Sequence, residues 1–351
     1  MYSYILIVFL GLTLSVVHSL CKDNGTYKRI IEFLFLLILV LVSTFRWETG
    51  TDFYSYIYLY DAVPEFGSGS FNDIYQNIEP GFKYLTSITK LFGNVQFYFF
   101  TISILSLLPI WVGLIWLNKI IKFNILLALL IYLLVFFLPY NLNAIRQSIT
   151  MGFFILSLPM IIEKKSLSVL SISILASLFH STGILIGISY FFIRLFLITK
   201  YRTFCYFLLL SLLIYFSNIF VTLFSLFGVD IDRWIDLWGS IDVVSIAVRL
   251  FIIGLFIFPR AMDLRVRAQV VLFNLYFYGL FLYISLGSVG MMATRFNMFF
   301  RVLEIVIVPF LITKSKFVTN KFFITFIFLF YALFAYYVIG SDPEYLLNLK
   351  F

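Results

Sequence analysis

The sequence predicts an all-α, polytopic integral membrane protein with about twelve transmembrane helices. Hydrophobic residues make up 62% of the 351 residues and charged residues only 12%, and the chain contains 45 Phe and 23 Tyr. A soluble domain carries about a quarter charged residues and no more than about half apolar ones. Since a transmembrane helix takes about 20 residues, the length allows about ten to thirteen spans plus one sizeable loop. We therefore expect a single transmembrane domain over residues 1–351 and no separate globular domain.

Twelve apolar runs are the candidate spans. They cover residues 2–20, 30–45, 95–117, 124–140, 147–162, 166–180, 183–198, 204–227, 243–259, 268–287, 296–312 and 322–339. The first run is not preceded by the positive residues of a cleaved signal peptide, so we expect it to be retained as a span. Residues 46–95 form the only long segment between runs and are predicted to be an outside loop. A second outside segment, 230–242, carries Trp234 and Trp238 four residues apart, as an interfacial helix would.

The distribution of charge predicts the topology. Lys and Arg cluster between alternate runs, whereas the intervening segments hold most of the Asp and Glu. Because basic residues favour cytoplasmic loops, the clusters mark the inside and both termini are expected outside. The net charge of +8 is thus a topology signal and not a nucleic-acid footprint. Cys21 and Cys205 lie beside inside clusters, where a disulfide is not expected.

Arg46 begins the first polar motif, at the outside end of the second span. It is followed by Glu48, Gly50 and Asp52, which place acids near it through a glycine turn. An arginine on this side opposes the charge trend and is explained either by an interfacial anchor with Trp47 or by an anion site. The tyrosines at alternate positions from 54 to 60 fit a membrane-interface belt or a surface on which sugars stack.

Three further motifs lie on the same side of the predicted membrane. Glu79 precedes a Pro-Gly turn, which by itself reads as a turn with a solvated acid. Arg146 and Gln147 stand at the junction of the fourth and fifth spans, where a charge near hydrocarbon marks a functional site or a paired structural one. His180 lies in the next outside turn; a lone histidine is more often structural, and without a Cys/His cluster it makes no zinc site.

Arginines of the later spans add to this set. Arg249 lies inside the ninth span and Arg295 at the outer mouth of the eleventh. We expect Arg301 and Glu304, three residues apart on one helix, to pair with each other, and Arg194 to snorkel to the inside interface. Arginines with little local acid indicate a site for a multiply charged anion, because the planar guanidinium binds two oxygens of a phosphate at once.

With these residues in view, the chain resembles the EpsG family of Wzy-like polysaccharide polymerases. The matching motifs run in order over about residues 44–300 and share one membrane side. They are Arg46 with Gly50-Thr51-Asp52 and Tyr56, Glu79-Pro80-Gly81, Arg146-Gln147 and Phe179-His180-Ser181, followed less specifically by Arg295-Phe296. Phe53 stands where the family often has Tyr, a small departure.

The resemblance implies a metal-independent glycosyltransferase of a bacterial inner membrane, working at its outer face. Such enzymes transfer a glycan from undecaprenyl pyrophosphate to the non-reducing end of another lipid-linked repeat unit, which builds O-antigen, capsule or exopolysaccharide. Lipid-linked oligosaccharide is thus both donor and acceptor, no cofactor or nucleic acid is needed, and a chain-length regulator protein is a possible partner.

The residues fit this chemistry. The pyrophosphate leaves without protonation if cations neutralise its developing charge, and the acceptor hydroxyl needs a proton acceptor. We expect Arg146 and Arg295 to bind the pyrophosphate with Arg46 and Arg249 in support, and Gln147 and Tyr56 to contact substrate. His180 is the first choice as base because its ordinary pKa lies near neutrality, and Asp52 and Glu79 are the competing candidates.

Two other functions remain open from the sequence. An O-antigen ligase, or another glycosyltransferase that uses a polyprenyl lipid, differs from a polymerase only in its acceptor. A flippase for lipid-linked sugars would need access from both sides and often shows repeated halves, whereas the distinctive polar groups here lie on one side.

Overall fold

The computed structural model describes residues 2–21, 25–68, 78–226, 243–257, 263, 266–314, 329–331, 333 and 348–349. Within them the regular secondary structure is helical apart from one two-residue strand pair. Among the described residues, five helices are long and apolar enough to cross a membrane, and five more apolar helices are shorter. The predicted helical membrane class is therefore confirmed, and twelve spans remain a prediction. The run 322–339 lies almost wholly outside the described residues, as does the predicted interfacial segment 230–242.

The chain divides into two compact units. The first unit contains Met1–Gly187 and Val318–Phe351, and the second contains Ile188–Phe317.

The first unit is built mainly from spans. Its helices are α1 (Tyr2–Leu20), α2 (Gly25–Thr44), α3 (Phe53–Ala62), α4 (Pro80–Lys90), α5 (Val95–Ile120), α6 (Ile125–Tyr132), α7 (Ile145–Ile162) and α8 (Ser166–Ser177). The helix α6 continues without a break as a π-helical segment, Leu133–Asn141. Helices α5 and α7 approach closely at Gly152, where the absence of a side chain leaves room for the neighbouring backbone. A Cβ at this position would stand only 2.4 Å from the Ser106 carbonyl oxygen. Small residues of this kind permit close packing of transmembrane helices.

Two helices occupy the segment 46–95, which the sequence predicted as a loop. Helix α3 buries Phe53, Tyr56 and Leu59, residues three apart along one helical face. Helix α4 begins at Pro80, a residue suited to the first helical position because its missing N–H has no partner there. A short strand, β1 (Arg46–Trp47), precedes α3 and pairs antiparallel with β2 (Asn348–Leu349).

The second unit contains the later helices. They are the end of α9 (Ile184–Leu195), α10 (Tyr201–Phe216), α11 (Ile219–Leu226), α12 (Val243–Ile257), α13 (Arg267–Ser285), α14 (Gly290–Arg301) and α15 (Glu304–Lys314). The run 204–227, expected as one span, is broken at Asn218, whose φ is +51°. Asparagine tolerates this left-handed conformation better than most residues, which explains why the break falls there.

Candidate active site

Arg46 is held in a buried position by the end of the π-helical segment. Its side chain is 2% exposed, and Nη1 donates a 2.6 Å hydrogen bond to the carbonyl oxygen of Asn141. The guanidinium carbon lies 4.5 Å from the centre of the Phe99 ring, while Nε and Nη2 have no hydrogen-bond partner. Burial lowers the pKa of Arg46 to about 10, so the group remains a cation at neutral pH with two donors to spare.

The Asn141 side chain fixes the carbonyl that holds Arg46. Its amide nitrogen donates to Ser106 Oγ at 2.8 Å, and its amide oxygen accepts from the Tyr132 hydroxyl and from Ser148 Oγ. All of these side chains are buried. Polar groups buried among apolar helices are stabilising only when fully hydrogen-bonded, and this network meets that condition at Asn141. Sequence reasoning assigned no role to Asn141.

The turn Gly50-Thr51-Asp52 contacts the same end of the π-helical segment. The side-chain oxygen of Asn143 accepts hydrogen bonds from Thr51 Oγ1 at 3.1 Å and from the Asp52 backbone N–H at 2.8 Å. Gly50 has φ of +93°, and a Cβ there would stand 2.6 Å from the Leu142 carbonyl oxygen. Only glycine fits, because both the conformation and the space exclude a side chain. Asp52, which is partly exposed, is thereby placed beside the turn that precedes Arg146.

Glu79 joins two of the predicted motifs. Its Oε2 accepts a 2.5 Å hydrogen bond from Arg146 Nη1, and its Oε1 accepts one of 2.8 Å from the backbone N–H of Ser181. The glycine after Pro80 lies against the same turn, since a Cβ on Gly81 would stand 2.7 Å from the Leu178 carbonyl oxygen. Both carboxylate oxygens of Glu79 are therefore engaged, which makes this residue a link between Arg146 and the His180 turn.

Tyr56 interacts with Arg146 from helix α3. Its side chain is 7% exposed, and its hydroxyl forms a hydrogen bond with the Arg146 guanidinium. Burial raises the pKa of Tyr56, an effect that Arg146 partly offsets. The phenol is therefore neutral at physiological pH. The Arg146 side chain is 24% exposed, so part of its five-donor fork remains accessible beside Glu79 and Tyr56.

His180 is buried and oriented by a chain of hydroxyl groups. Its Nδ1 lies 2.8 Å from Thr182 Oγ1, which lies 3.2 Å from Thr150 Oγ1. Thr150 Oγ1 in turn donates at 2.8 Å to the backbone carbonyl of Gln147. The backbone N–H of Thr182 also donates a hydrogen bond to Nδ1, at 3.2 Å. The threonines went unnoticed in the sequence because a hydroxyl two residues from a histidine carries no recognisable pattern.

The structure thus brings the predicted residues of the first unit into one connected set. Arg46 and Asp52 are tied to the end of the π-helical segment, Arg146 and Tyr56 to Glu79, and Glu79 to the His180 turn. Gln147 is 5% exposed and supplies the carbonyl at the end of the hydroxyl chain.

The predicted arginines of the second unit differ from each other. Arg249 is 1% exposed, whereas Arg295 lies on an exposed position of α14. The expected pair of Arg301 with Glu304 is confirmed, since Nε lies 3.0 Å from Oε1 and both side chains are buried. Arg194 is exposed, and its snorkelling remains a prediction. Among the described residues of both units, no group of three or more His, Cys, Asp or Glu is placed to hold a metal ion.

One comparison with known proteins gives a match. A family model described as "EpsG family" matches residues 29–351, a range that includes every residue of the candidate site. No curated protein and no solved structure matches the chain.

Proposed function

The chain belongs to the EpsG family of Wzy-like polymerases, and on that premise we propose that it joins lipid-linked oligosaccharide repeat units into polysaccharide. The donor is a glycan on undecaprenyl pyrophosphate, and the acceptor is the non-reducing end of a second lipid-linked unit. The site faces the outside of a bacterial inner membrane. Family membership supports a membrane polysaccharide polymerase; the donor, the acceptor and the side are our proposal.

The observation that carries this proposal is the contact between motifs distant in the sequence. Glu79 reaches Arg146 and the Ser181 backbone, and Asn143 binds the turn that carries Asp52. Hydrogen bonds thus link the Arg146 cation and the Glu79 carboxylate to the turn that carries the His180 imidazole. Glycosyl transfer with a pyrophosphate leaving group requires these groups: a cation for the leaving group and a proton acceptor for the attacking hydroxyl.

Arg146 and Arg46 are proposed to stabilise the leaving pyrophosphate in the first unit. Arg146 is partly exposed beside Glu79, and Arg46 keeps two unpartnered donors. Fixed cations aimed at developing charge lower a barrier most where water is excluded, and the burial of Arg46 meets that condition. The expected contributions of Arg249 and Arg295, which belong to the second unit, remain predictions.

His180 is proposed as the base because the hydroxyl chain favours the required tautomer. The Gln147 carbonyl can only accept, so the Thr150 hydroxyl donates to it and Thr182 donates to Thr150. Thr182 Oγ1 then accepts from His180 Nδ1–H, which leaves the Nε2 lone pair to take a proton. The Thr182 backbone N–H donates to Nδ1 at 3.2 Å and favours the opposite tautomer; we propose that the hydroxyl chain prevails because it continues to the Gln147 carbonyl.

The two carboxylates are proposed to differ in role. Glu79 has both oxygens engaged, so it positions Arg146 and the His180 turn and is the weaker candidate base. Asp52 is half-buried and competes with His180, either as the base or as the group that orients the acceptor hydroxyl.

The proposal is tested by reconstitution. The purified protein is placed in proteoliposomes with the lipid-linked repeat unit, and the products are separated on a gel. A ladder of repeat-unit lengths supports polymerisation. If Arg146→Ala, present at an equal protein level, makes no ladder, polymerisation depends on the candidate site. Transfer only to a foreign acceptor such as lipid A core would indicate a ligase. Movement of the lipid across the bilayer without any glycan joining would indicate a flippase; either outcome contradicts the proposal.

A further inference from the structure

Residues 141–143, which join the π-helical segment to α7, contact the motif that runs from Arg46 to Asp52 at three successive points. The first two contacts are made by backbone carbonyls, and the third is made by the side chain of Asn143. Its Oδ1 accepts hydrogen bonds from Thr51 Oγ1 at 3.1 Å and from the Asp52 backbone N–H at 2.8 Å. Asn143 is therefore the position in this segment at which a substitution removes a contact with the motif directly.

Asn143 supplies an acceptor that the sequence of helix α3 does not provide. Asp52 is the N-cap residue of α3, and in a capping box the N–H of the N-cap is bound by a Glu or Gln at the third helical position. That position in α3 is Ser55, so this helix has no capping box. The acceptor comes instead from Asn143, 91 residues away along the chain. The backbone from which the Asp52 carboxylate projects is thus fixed by a contact across the fold.

The contact lies at the accessible edge of the candidate site. Asn143 and Asp52 are half-buried and Thr51 is exposed, whereas the Asn143 backbone is held because its carbonyl accepts from the Ile145 N–H at 2.8 Å. A hydrogen bond that water can replace contributes only modestly to stability. Orientation is a different matter, since a misplacement of about 1 Å in a reacting group can cost about 10²-fold in rate. The contact is therefore suited to positioning more than to holding the fold together.

Resting on the proposed function, we propose that Asn143 is a positioning residue for glycosyl transfer. Through the turn Thr51-Asp52 it holds the Asp52 carboxylate towards the acceptor hydroxyl, without touching the substrate itself. The same contact fixes the start of α3, the helix from which Tyr56 bonds Arg146. One side-chain oxygen thus aligns the carboxylate of the site with its accessible cation.

Initial rates of polymerisation in proteoliposomes and melting temperatures in detergent test this inference together. Asn143→Ala removes the acceptor and should lower the rate about 10–10²-fold. Asn143→Asp keeps an oxygen in the place of Oδ1 and should recover part of that loss. The control is Asn94→Ala, because Asn94 Oδ1 also accepts a backbone N–H at a helix start, that of Phe97. It should leave the rate nearly unchanged, and the two alanine variants should show similar, small falls in melting temperature.

Each contrary result has one meaning. A wild-type rate in Asn143→Ala would overturn the inference, as would equal losses in the Ala and Asp variants, since the oxygen would then have no role. An equal rate loss in Asn94→Ala, a clearly larger fall in the melting temperature of Asn143→Ala, or its failure to fold would make Asn143 structural and overturn the inference too. The proposed function would stand in all of these cases. The absence of a polymer ladder from the wild type would contradict the proposed function itself.

Discussion

Arg146 and Arg249, one in each unit, are placed in opposite ways. Arg146 in the first unit is partly exposed and is paired with Glu79 and Tyr56, whereas Arg249 in the second unit is buried without a hydrogen-bond partner for Nε and Nη2. A paired and accessible arginine is positioned to act on a charge that develops during reaction. Arg46, in the first unit, is buried with the same two nitrogens unpartnered, so burial alone does not separate the two units. The contrast therefore supports Arg146, and not Arg249, as the arginine accessible to a charge that develops during reaction.

The largest expected effect concerns His180. General-base catalysis is typically worth about 10²–10⁴-fold, so His180→Ala should lower the polymerisation rate by that factor while the protein stays folded. In cells, lipid-linked single repeats should accumulate because joining stops. Extraction and chromatography of the lipid-linked pool measure this.

Asp52→Asn tests the competing candidate base in the same assay. If Asp52→Asn abolishes polymer and His180→Ala leaves normal lengths, the base is the loop carboxylate. The comparison of the two units would survive that result, but the hydroxyl chain of Thr182 and Thr150 would lose its proposed role.

A slightly smaller loss is expected for Arg146→Lys. Lysine keeps the charge but not the planar fork, and loss of one group that stabilises transition-state charge costs about 10²–10³-fold. The initial rate in proteoliposomes should fall accordingly, with Arg194→Lys as the control for a change at an exposed arginine. A rate within twofold of the wild type would remove Arg146 from the chemistry.

The hydroxyl chain predicts a moderate effect. Thr182→Val keeps the shape but removes the group that accepts from His180 Nδ1, and one hydrogen bond of about 1.4 kcal/mol corresponds to about a tenfold lower kcat. Thr182→Ser should restore activity. Thr101→Val is the control, because the Thr101 hydroxyl bonds only the Phe97 carbonyl of its own helix. Equal losses in the Val and Ser variants would indicate packing and not hydrogen bonding.

The smallest effect is expected at Glu79. Glu79→Gln retains an acceptor for the Ser181 backbone N–H but weakens the pair with Arg146, so kcat should fall only a few-fold if this residue positions others. Glu79→Ala removes both links and should cost much more. A loss with Glu79→Gln as large as that with His180→Ala would instead identify Glu79 as the base.

The sequence predicted the membrane class, the family and the set of motifs, because hydropathy and motif order are encoded locally. It did not predict helices α3 and α4, because their turn residues and exposed tyrosines dominate the pattern of that segment. Nor did it predict Asn141 or Thr182, whose roles depend on which groups face them across the fold. The sequence placed Arg249 inside one span and Arg295 at the outer mouth of another, and the structure shows the first buried and the second exposed.

The proposed role of Arg146 in the chemistry is tested most directly by steady-state kinetics of polymerisation in proteoliposomes, with the lipid-linked repeat unit as the varied substrate. Arg146→Lys should lower kcat and leave KM nearly unchanged, whereas the control Arg194→Lys should leave both nearly unchanged. A normal kcat with a raised KM in Arg146→Lys would contradict the proposed role of Arg146 in the chemistry.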